Sequence, residues 1–404
     1  VRRAPEQALS RLLEIFPVVV VTGARQTGKS TLVSEQPELQ GRLAYTLDDL
    51  DVRTQAQADP AAFVARDTNL VIDEVQRVPE LLLAIKAQVD AERQRTKGRF
   101  VLTGSANLLM MKQVADSLAG RAAYLNVVPL TRRELLGQAT TGRWSQLFDL
   151  PFDDWLPLLQ ADESPPEDWR AAVTRGGFPV PALQLTADQR PSWFNAYIAT
   201  YLERDLRDLA TIELLGDFRQ TMRALALRIG NPVNQSEIAR DLGIGQRNIS
   251  RWIDLLKTSW MVTELPAFSL NRTSRLMKRP KLYWNDPALA LTVAGEMESS
   301  GAHLENLVLS DLLAWAAVQP TTPEVMYWRT TDNAEVDFVL QRGRSLLAVE
   351  VKATTNPGFN DYKTLTRFVG EYTKDCHGAL LLHCGTETVR LSDRVVATPW
   401  WRVL

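Results

Sequence analysis

Gly23-Ala24-Arg25-Gln26-Thr27-Gly28-Lys29-Ser30 is a complete G-x-x-x-x-G-K-S stretch, and its flanks decide the fold. Before it runs Phe16-Pro17-Val18-Val19-Val20-Val21-Thr22, an apolar, β-branched run suited to a buried parallel strand. After it, Thr31-Leu32-Val33 can carry a helix onward. The glycines therefore sit where a strand turns into a helix N-terminus, the setting in which this motif acts as a phosphate loop. Glycine lets the backbone curl so that successive N–H groups point at one anion. The helix N-terminus adds unsatisfied donors and the positive end of its dipole. Residues from Gly23 to Thr31 are expected to hold the phosphates of a nucleotide. Lys29 would reach the β- and γ-phosphates, and the Ser30 hydroxyl would ligate Mg²⁺.

Two later stretches complete the expected nucleotide site. Asn69-Leu70-Val71-Ile72-Asp73-Glu74 is a short apolar strand ending in two acids, where a parallel sheet places its ligand crevice. Asp73 is the candidate Mg²⁺ partner, and Glu74 the candidate base for the attacking water. A GTP switch does not need that glutamate, so the pair argues for ATP hydrolysis. Arg99-Phe100-Val101-Leu102-Thr103-Gly104-Ser105 reads as another strand, from which Thr103 or Ser105 could hydrogen-bond the γ-phosphate or the water. A helix-like stretch from Leu108 to Ala119 follows, then Gly120-Arg121 and a strand over Ala122–Val128. Arg121 could stabilise transition-state charge in cis or from a neighbouring subunit, or simply pair with a helix C-terminus.

The chain of 404 residues exceeds one ordinary domain. A formal charge of -2 gives no global basic footprint, so nucleic-acid contact needs a local patch. No apolar run is long enough to span a membrane, no secretory apolar region opens the sequence, and the two cysteines build no disulfide framework. These features set the expectation of a cytoplasmic protein with no membrane partner. Cys376-His377 and His383-Cys384 flank a strand-like apolar run, which favours buried cysteines over a zinc site.

Residues 1–137 alternate strand and helix signals, the pattern of a three-layer α/β domain. Residues 138–230 read as an irregular connector and a helical region, with seven prolines between Pro151 and Pro191 and tryptophans that argue for order. Residues 231–270 read as a winged helix-turn-helix: Ser236 caps a helix over Glu237–Leu242, Gly243 turns the chain, and Gln246–Lys257 form the second helix. Ile249, Trp252, Ile253 and Leu256 share its apolar face. Gln246, Arg247, Ser250 and Arg251 are then exposed, as groove-reading residues must be. An acid-free basic stretch follows with Arg272, Arg275, Lys278, Arg279 and Lys281. DNA binding and a protein-contact spacer are the two readings of this element.

Residues 335–352 allow a register to be derived. A two-residue Gly343-Arg344 turn of the glycine-first type places Val336, Phe338 and Leu340 opposite Val351, Val349 and Leu347. Asp337 then faces Glu350, and Glu335 faces Lys352. Opposed like charges destabilise a hairpin unless a divalent cation bridges them, and oxygen ligands suit Mg²⁺ or Mn²⁺. Lys352 would position water or offset charge on an attacked phosphodiester. A plainer reading has Lys352 salt-bridge both acids.

The chain resembles the prokaryotic ATP-binding proteins that join an AAA-type ATPase domain to a C-terminal domain similar to the restriction-endonuclease fold. The likeness rests on GARQTGKS, LVIDEVQ, LTGSAN, SLAGRAAYLNVVPLTRREL, RGGFP, YLERDL, YWNDPAL, HLEN, EVDFVL and VEVKA, which run through nearly the whole chain. It implies an α/β architecture of three parts: the P-loop ATPase core, the central helical and winged-helix region, and a restriction-endonuclease-like α/β domain over 271–404. It implies that Arg121 is an arginine finger, that the chain forms homo-oligomers, and that Glu305 joins Asp337 and Glu350 as a third metal-binding acid. The functional expectation is Mg²⁺-dependent ATP hydrolysis coupled to DNA or RNA binding and to metal-dependent cleavage. A non-nucleolytic ATP switch that binds a protein partner and a DNA translocase are the alternatives.

Overall fold

The computed structural model describes residues 1–92, 96–105, 118–200, 215–271, 275 and 278–404. Most of the expected helix Leu108–Ala119, the stretch Tyr201–Leu206 and Arg272 lie outside the described residues.

The N-terminal part is a parallel sheet of β1 (Val18–Thr22), β2 (Leu43–Thr46), β3 (Leu70–Asp73), β4 (Phe100–Thr103) and β5 (Ala122–Asn126), in the order β2-β3-β4-β1-β5. Strand alternation splits its side chains between two cores. Val18, Val20, Leu70, Ile72, Phe100 and Leu102 pack on one face. Val19, Val21, Val71, Val101 and Leu125 pack on the other, with α1 (Pro5–Leu13) and α2 (Lys29–Glu35). Both faces are covered, which is why the strands read as unbroken apolar runs. β1 and β3 flank β4, so their C-terminal ends and that of β4 open on one crevice.

Short helices carry Trp144, Trp155 and Trp169 into a second core. α3 (Pro179–Leu183) and α4 (Arg190–Thr200) follow. α5 (Gln235–Leu242) and α6 (Gln246–Thr258) form the helix-turn-helix, with Gly243 left-handed at φ +68°. Its first helix is capped by Asn234 rather than Ser236, because the Asn234 side chain accepts the Glu237 N–H and lets the helix start at Gln235. The two-stranded antiparallel sheet of β6 (Val262–Leu265) and β7 (Lys281–Trp284) packs after it. The boundary expected at residue 270 therefore falls between two paired strands.

α7 (Pro287–Ala294) and α8 (Gly301–Val318) lead into a mixed sheet. Its strands are β8 (Glu324–Arg329), β9 (Glu335–Arg342), β10 (Ser345–Val351), β11 (Cys376–His383), β12 (Val389–Ser392) and β13 (Val395–Pro399), in the order β12-β13-β11-β10-β9-β8. The β9–β10 hairpin has the derived register: Phe338 pairs with Val349 and Leu340 with Leu347, with Gly343 at φ +64° in the turn. α9 (Phe359–Glu371) covers one face through Leu365 and Phe368. The other face belongs to an apolar core that runs from Trp144 to Leu404 without a break. Among the described residues, no helix is long and apolar enough to cross a membrane.

Candidate functional site

The phosphate loop is held open by its glycines and braced from a distance. Gly23 sits at φ +139°, and a Cβ there would lie 2.2 Å from the Val127 carbonyl oxygen, so only glycine fits. Arg3 donates to the Thr27 carbonyl at 2.8 Å and to Glu134 at 2.9 Å, tying the loop to the segment beyond β5. The Lys29 ammonium lies inside the loop, donating to the carbonyls of Gly23 at 3.1 Å and Ala24 at 2.7 Å. Burial lowers its pKa to about 8, against the opposing pull of Glu74 and Asp73.

The acids stand where the strand ends place them. Ser30 Oγ donates to Asp73 at 3.1 and 3.3 Å, and the Thr103 hydroxyl donates to the same carboxylate. Ser30, Asp73 and Thr103 thus converge as a set of hard oxygens, the donor chemistry that suits Mg²⁺. Glu74 has left-handed backbone at φ +55°, a strained conformation for a glutamate. Its carboxylate accepts from Gln76 and, at 3.4 Å, from Ser105. A cavity of about 630 Å³ opens over Arg25, Gln26, Lys29, Thr31, Glu74 and Ser105. Pro179, Val180, Trp193 and Tyr197 form its opposite wall.

Arg121 stands elsewhere. It precedes Ala122, which pairs with Val18 at the start of β1, whereas the loop follows Thr22 at the other end. That separation is about 16 Å of strand. Its guanidinium pairs with Asp90 at 2.6 and 2.8 Å and does not reach the loop of its own chain.

The second cluster lies where β7, α8, β9 and β10 meet. Asp337 and Glu350 are both buried, and each accepts a backbone N–H of the facing strand: Val351 to Asp337 at 2.9 Å, Asp337 to Glu350 at 3.4 Å. Lys352 Nζ lies 2.5 Å from Glu350. Tyr283 donates to Glu305 at 2.9 Å. Burial raises all three acids, Glu305 to about 8, with Asp337 adding to the rise at Glu305 and Glu350. Lys281 enters this cluster from β7, buried, with its ammonium 2.5 Å from Glu335 and 3.9 Å from Asp337. Glu335 therefore pairs with Lys281 and not with Lys352. Among the described residues no three of His, Cys, Asp and Glu are grouped to hold a metal ion. In this arrangement the carboxylates of Glu305, Asp337 and Glu350 are partnered by lysines, Tyr283 and backbone N–H groups.

Among the helix-turn-helix candidates, Gln246, Arg247 and Arg251 are exposed and Ser250 is half-buried, while Ile249, Trp252, Ile253 and Leu256 are buried. The basic stretch divides. Arg275 pairs with Glu324 at 2.6 Å, bonds Gln341 and lies over the Phe268 ring. Lys278 is exposed and donates to the Arg329 carbonyl at 3.1 Å. These side chains bind the C-terminal sheet, so Arg275 offers little to a phosphate backbone. His377 bonds the Leu150 carbonyl and His383 the Glu387 carbonyl, while burial raises the thiols of Cys376 to about 12 and Cys384 to about 11, all unsuited to zinc.

Three residues were not singled out from sequence as site or anchor residues. Lys281 read as one more surface base; its place in β7 depends on a strand pairing that no local pattern shows. Asp286 is buried and accepts the N–H groups of Gly177 at 2.6 Å, Ala288 at 2.8 Å and Leu289 at 3.1 Å. It ties the loop over residues 176–179, whose Pro179 lines the cavity over the phosphate loop, to the start of α7. Asn306 bonds both the N–H and the carbonyl of Trp284 at 2.9 Å, fixing α8 to β7. The signal available was N-D-P, a capping aspartate before a proline.

A glycine-strained loop closing on Ser30, Asp73, Thr103 and Glu74 at the C-terminal edge of a parallel sheet is the constellation of a P-loop ATPase-like domain. Residues 16–136 match the family model described as AAA domain. Residues 166–300 match Domain of unknown function (DUF8612), and residues 300–403 match Domain of unknown function (DUF4143). An uncharacterized protein of Mycobacterium tuberculosis is 29% identical over 417 residues, covering 100% of this chain and 84% of that protein. An uncharacterized protein of Haemophilus influenzae is 22% identical over 312 residues, covering 75% and 70%. Among solved structures, the Walker-type ATPase of Pyrococcus abyssi is similar at a TM-score of 0.43 and 14% identity, covering 72% of this chain and 95% of that one.

Proposed function

We propose that the chain hydrolyses ATP with Mg²⁺ and passes its nucleotide state to a nucleic-acid-binding half made of the winged helix and the C-terminal sheet. The observation that carries this is the convergence of Ser30, Asp73 and Thr103 beside Glu74. Lys29 leaves the loop carbonyls for the β- and γ-phosphates, Glu74 orients water, and Ser105 holds Glu74. Bound Mg²⁺, held by Ser30 and Asp73, would offset phosphate charge. The Gly176–Pro179 loop and Asp286 are the path by which the cavity reaches α7. Arg247, Arg251, Gln246 and Lys278 offer exposed groups for DNA or RNA. Arg121, out of reach of its own loop, serves a second copy of the chain in a homo-oligomer.

Metal-dependent cleavage of nucleic acid is the second reading, favoured by the meeting of Asp337, Glu350, Lys352 and Glu305 in one cluster, as in restriction-endonuclease-like domains. Lys281 counts against it, since it already neutralises Glu335 and Asp337. ATP turnover measured with and without DNA or RNA, in Mg²⁺ and in Mn²⁺, decides. Turnover raised by nucleic acid without strand scission is the expected result. Cleavage that disappears in a D337A/K352A variant establishes the second reading. Turnover indifferent to nucleic acid makes the chain a switch for a protein partner.

A further inference from the structure

The phosphate loop is held from behind by a side chain that its motif does not contain. Buried Arg3 donates with all of its guanidinium nitrogens: Nη1 to the Thr27 carbonyl at 2.8 Å, Nη2 to the Val128 carbonyl at 2.9 Å and Nε to Glu134 at 2.9 Å. A Cβ on Gly28 would lie 3.1 Å from Nη1, so the guanidinium backs the glycine turn itself. Thr27 passes the hold inward. Its hydroxyl donates to the Ala24 carbonyl at 3.0 Å, and the Lys29 ammonium donates to the same carbonyl at 2.7 Å. A chain of hydrogen bonds thus joins Arg3 to the lysine of the loop.

Glu134 belongs to one turn of helix, Arg132–Leu135, whose other side chains reach the opposite way. Besides Arg3, its carboxylate accepts the N–H groups of Ala4 and Thr131, each at 2.7 Å. The Thr131 hydroxyl closes the capping box, which makes the turn one stiff piece. Arg132 donates to the Trp401 carbonyl at 3.0 Å, and Arg133 to the Arg402 carbonyl at 3.0 Å and to Asp162 at 2.9 Å. Those carbonyls belong to the helix Trp400–Val403, which follows β13 directly, and a helix leaves its last carbonyls unsatisfied. Arg132, Arg133 and Glu134 are all buried. Burying charges is a poor way to gain stability, whereas fixed bonds in two directions make a stiff connection. We propose that Arg3 and Glu134 are positioning residues for the phosphate loop, and that the turn they share couples the loop to the helix Trp400–Val403. Nucleotide at the loop tightens that helix, and release of the helix loosens the loop, because coupling is reciprocal. This rests on nucleotide binding at the phosphate loop and adds its regulation from the C-terminal sheet.

The test is amide hydrogen exchange over residues 398–404 of the full chain, with and without saturating ATP, beside equilibrium ATP binding. It compares the wild type with R3K and R133K. In the wild type, ATP should slow exchange there by on the order of fivefold. R3K keeps a charge for Glu134 but lacks the fork that reaches Thr27, so at saturating ATP its exchange should no longer respond. R133K loosens the helix without touching the loop, and should weaken ATP binding by about fivefold. The R133K arm stands alone if R3K fails to fold. A wild type that binds ATP with exchange over 398–404 unchanged overturns the proposal. So does an R133K chain that exchanges faster there yet binds ATP as the wild type does. A mere structural brace would lower melting temperatures in both variants without making exchange depend on ATP, which counts as the same refutation. If the wild type binds no ATP, the phosphate-loop reading falls first and the coupling with it.

Discussion

Lys29 shows how one side chain can be set for a ligand it has not met. Inside the loop its ammonium is buried among carbonyls, and burial lowers its pKa to about 8. A bound triphosphate reverses the balance by bringing negative charge to the same nitrogen, so the pKa rises on binding. Below about pH 8 the free lysine already carries its proton, and affinity is full. Above it, binding must take up a proton, and ATP affinity should fall by up to about tenfold per pH unit. Titrations at pH 7, 8 and 9 check this, and a flat profile would remove Lys29 from phosphate contact. K29A should abolish nucleotide binding at every pH. Glu305 titrates with the opposite chemistry. Burial raises it to about 8, so its contribution is complete below the usual carboxylate range and is lost as pH rises toward 8. E305Q keeps an acceptor for Tyr283 and removes the charge. Its melting temperature should exceed the wild type by a few degrees at pH 8 and match it at pH 5.

At the scale of elements, the hairpin and the helix-turn-helix separate what sequence shows from what it hides. Six alternating apolar residues and one glycine turn were enough to derive the β9–β10 register, because a slip of one residue would expose them all. The phosphate loop was legible for the same reason: eight contiguous residues carry the whole motif. The partner of Glu335 was not legible. Lys281 reaches it from a strand whose own partner, β6, is sixteen or more residues away, and only packing puts it there. The same holds for Asp286 and Gly177, joined across 109 positions. In α6 the periodicity separated the buried face from Arg247 and Arg251. If these arginines meet phosphates, R247A/R251A should weaken DNA binding and lower the salt dependence of log affinity by about two. Binding with unchanged affinity and salt slope would assign α6 to protein contact.

For the whole molecule, the position of Arg121 gives a test that single chains cannot pass. A chain that lacks Lys29 binds no nucleotide yet still offers its Arg121. A chain with R121A binds nucleotide and lacks the finger. Mixed in equal amounts, K29A and R121A chains should recover a measurable part of the ATP turnover that each has lost. No recovery at any ratio would dismiss Arg121 as a finger between copies. The long-range ties have a consequence in time. Arg132 donates to the Trp401 carbonyl at 3.0 Å, and Arg133 to that of Arg402 at 3.0 Å. Trp400, Trp401, Val403 and Leu404 belong to the core that begins at Trp144. A ribosome adding residues one by one releases the phosphate loop and its sheet long before these partners exist. The ATPase sheet can form early, but its two arginines wait for some 270 further residues, so the second core closes late and nearly all at once. Until that moment, the nascent chain carries a phosphate loop whose distant braces are not yet made.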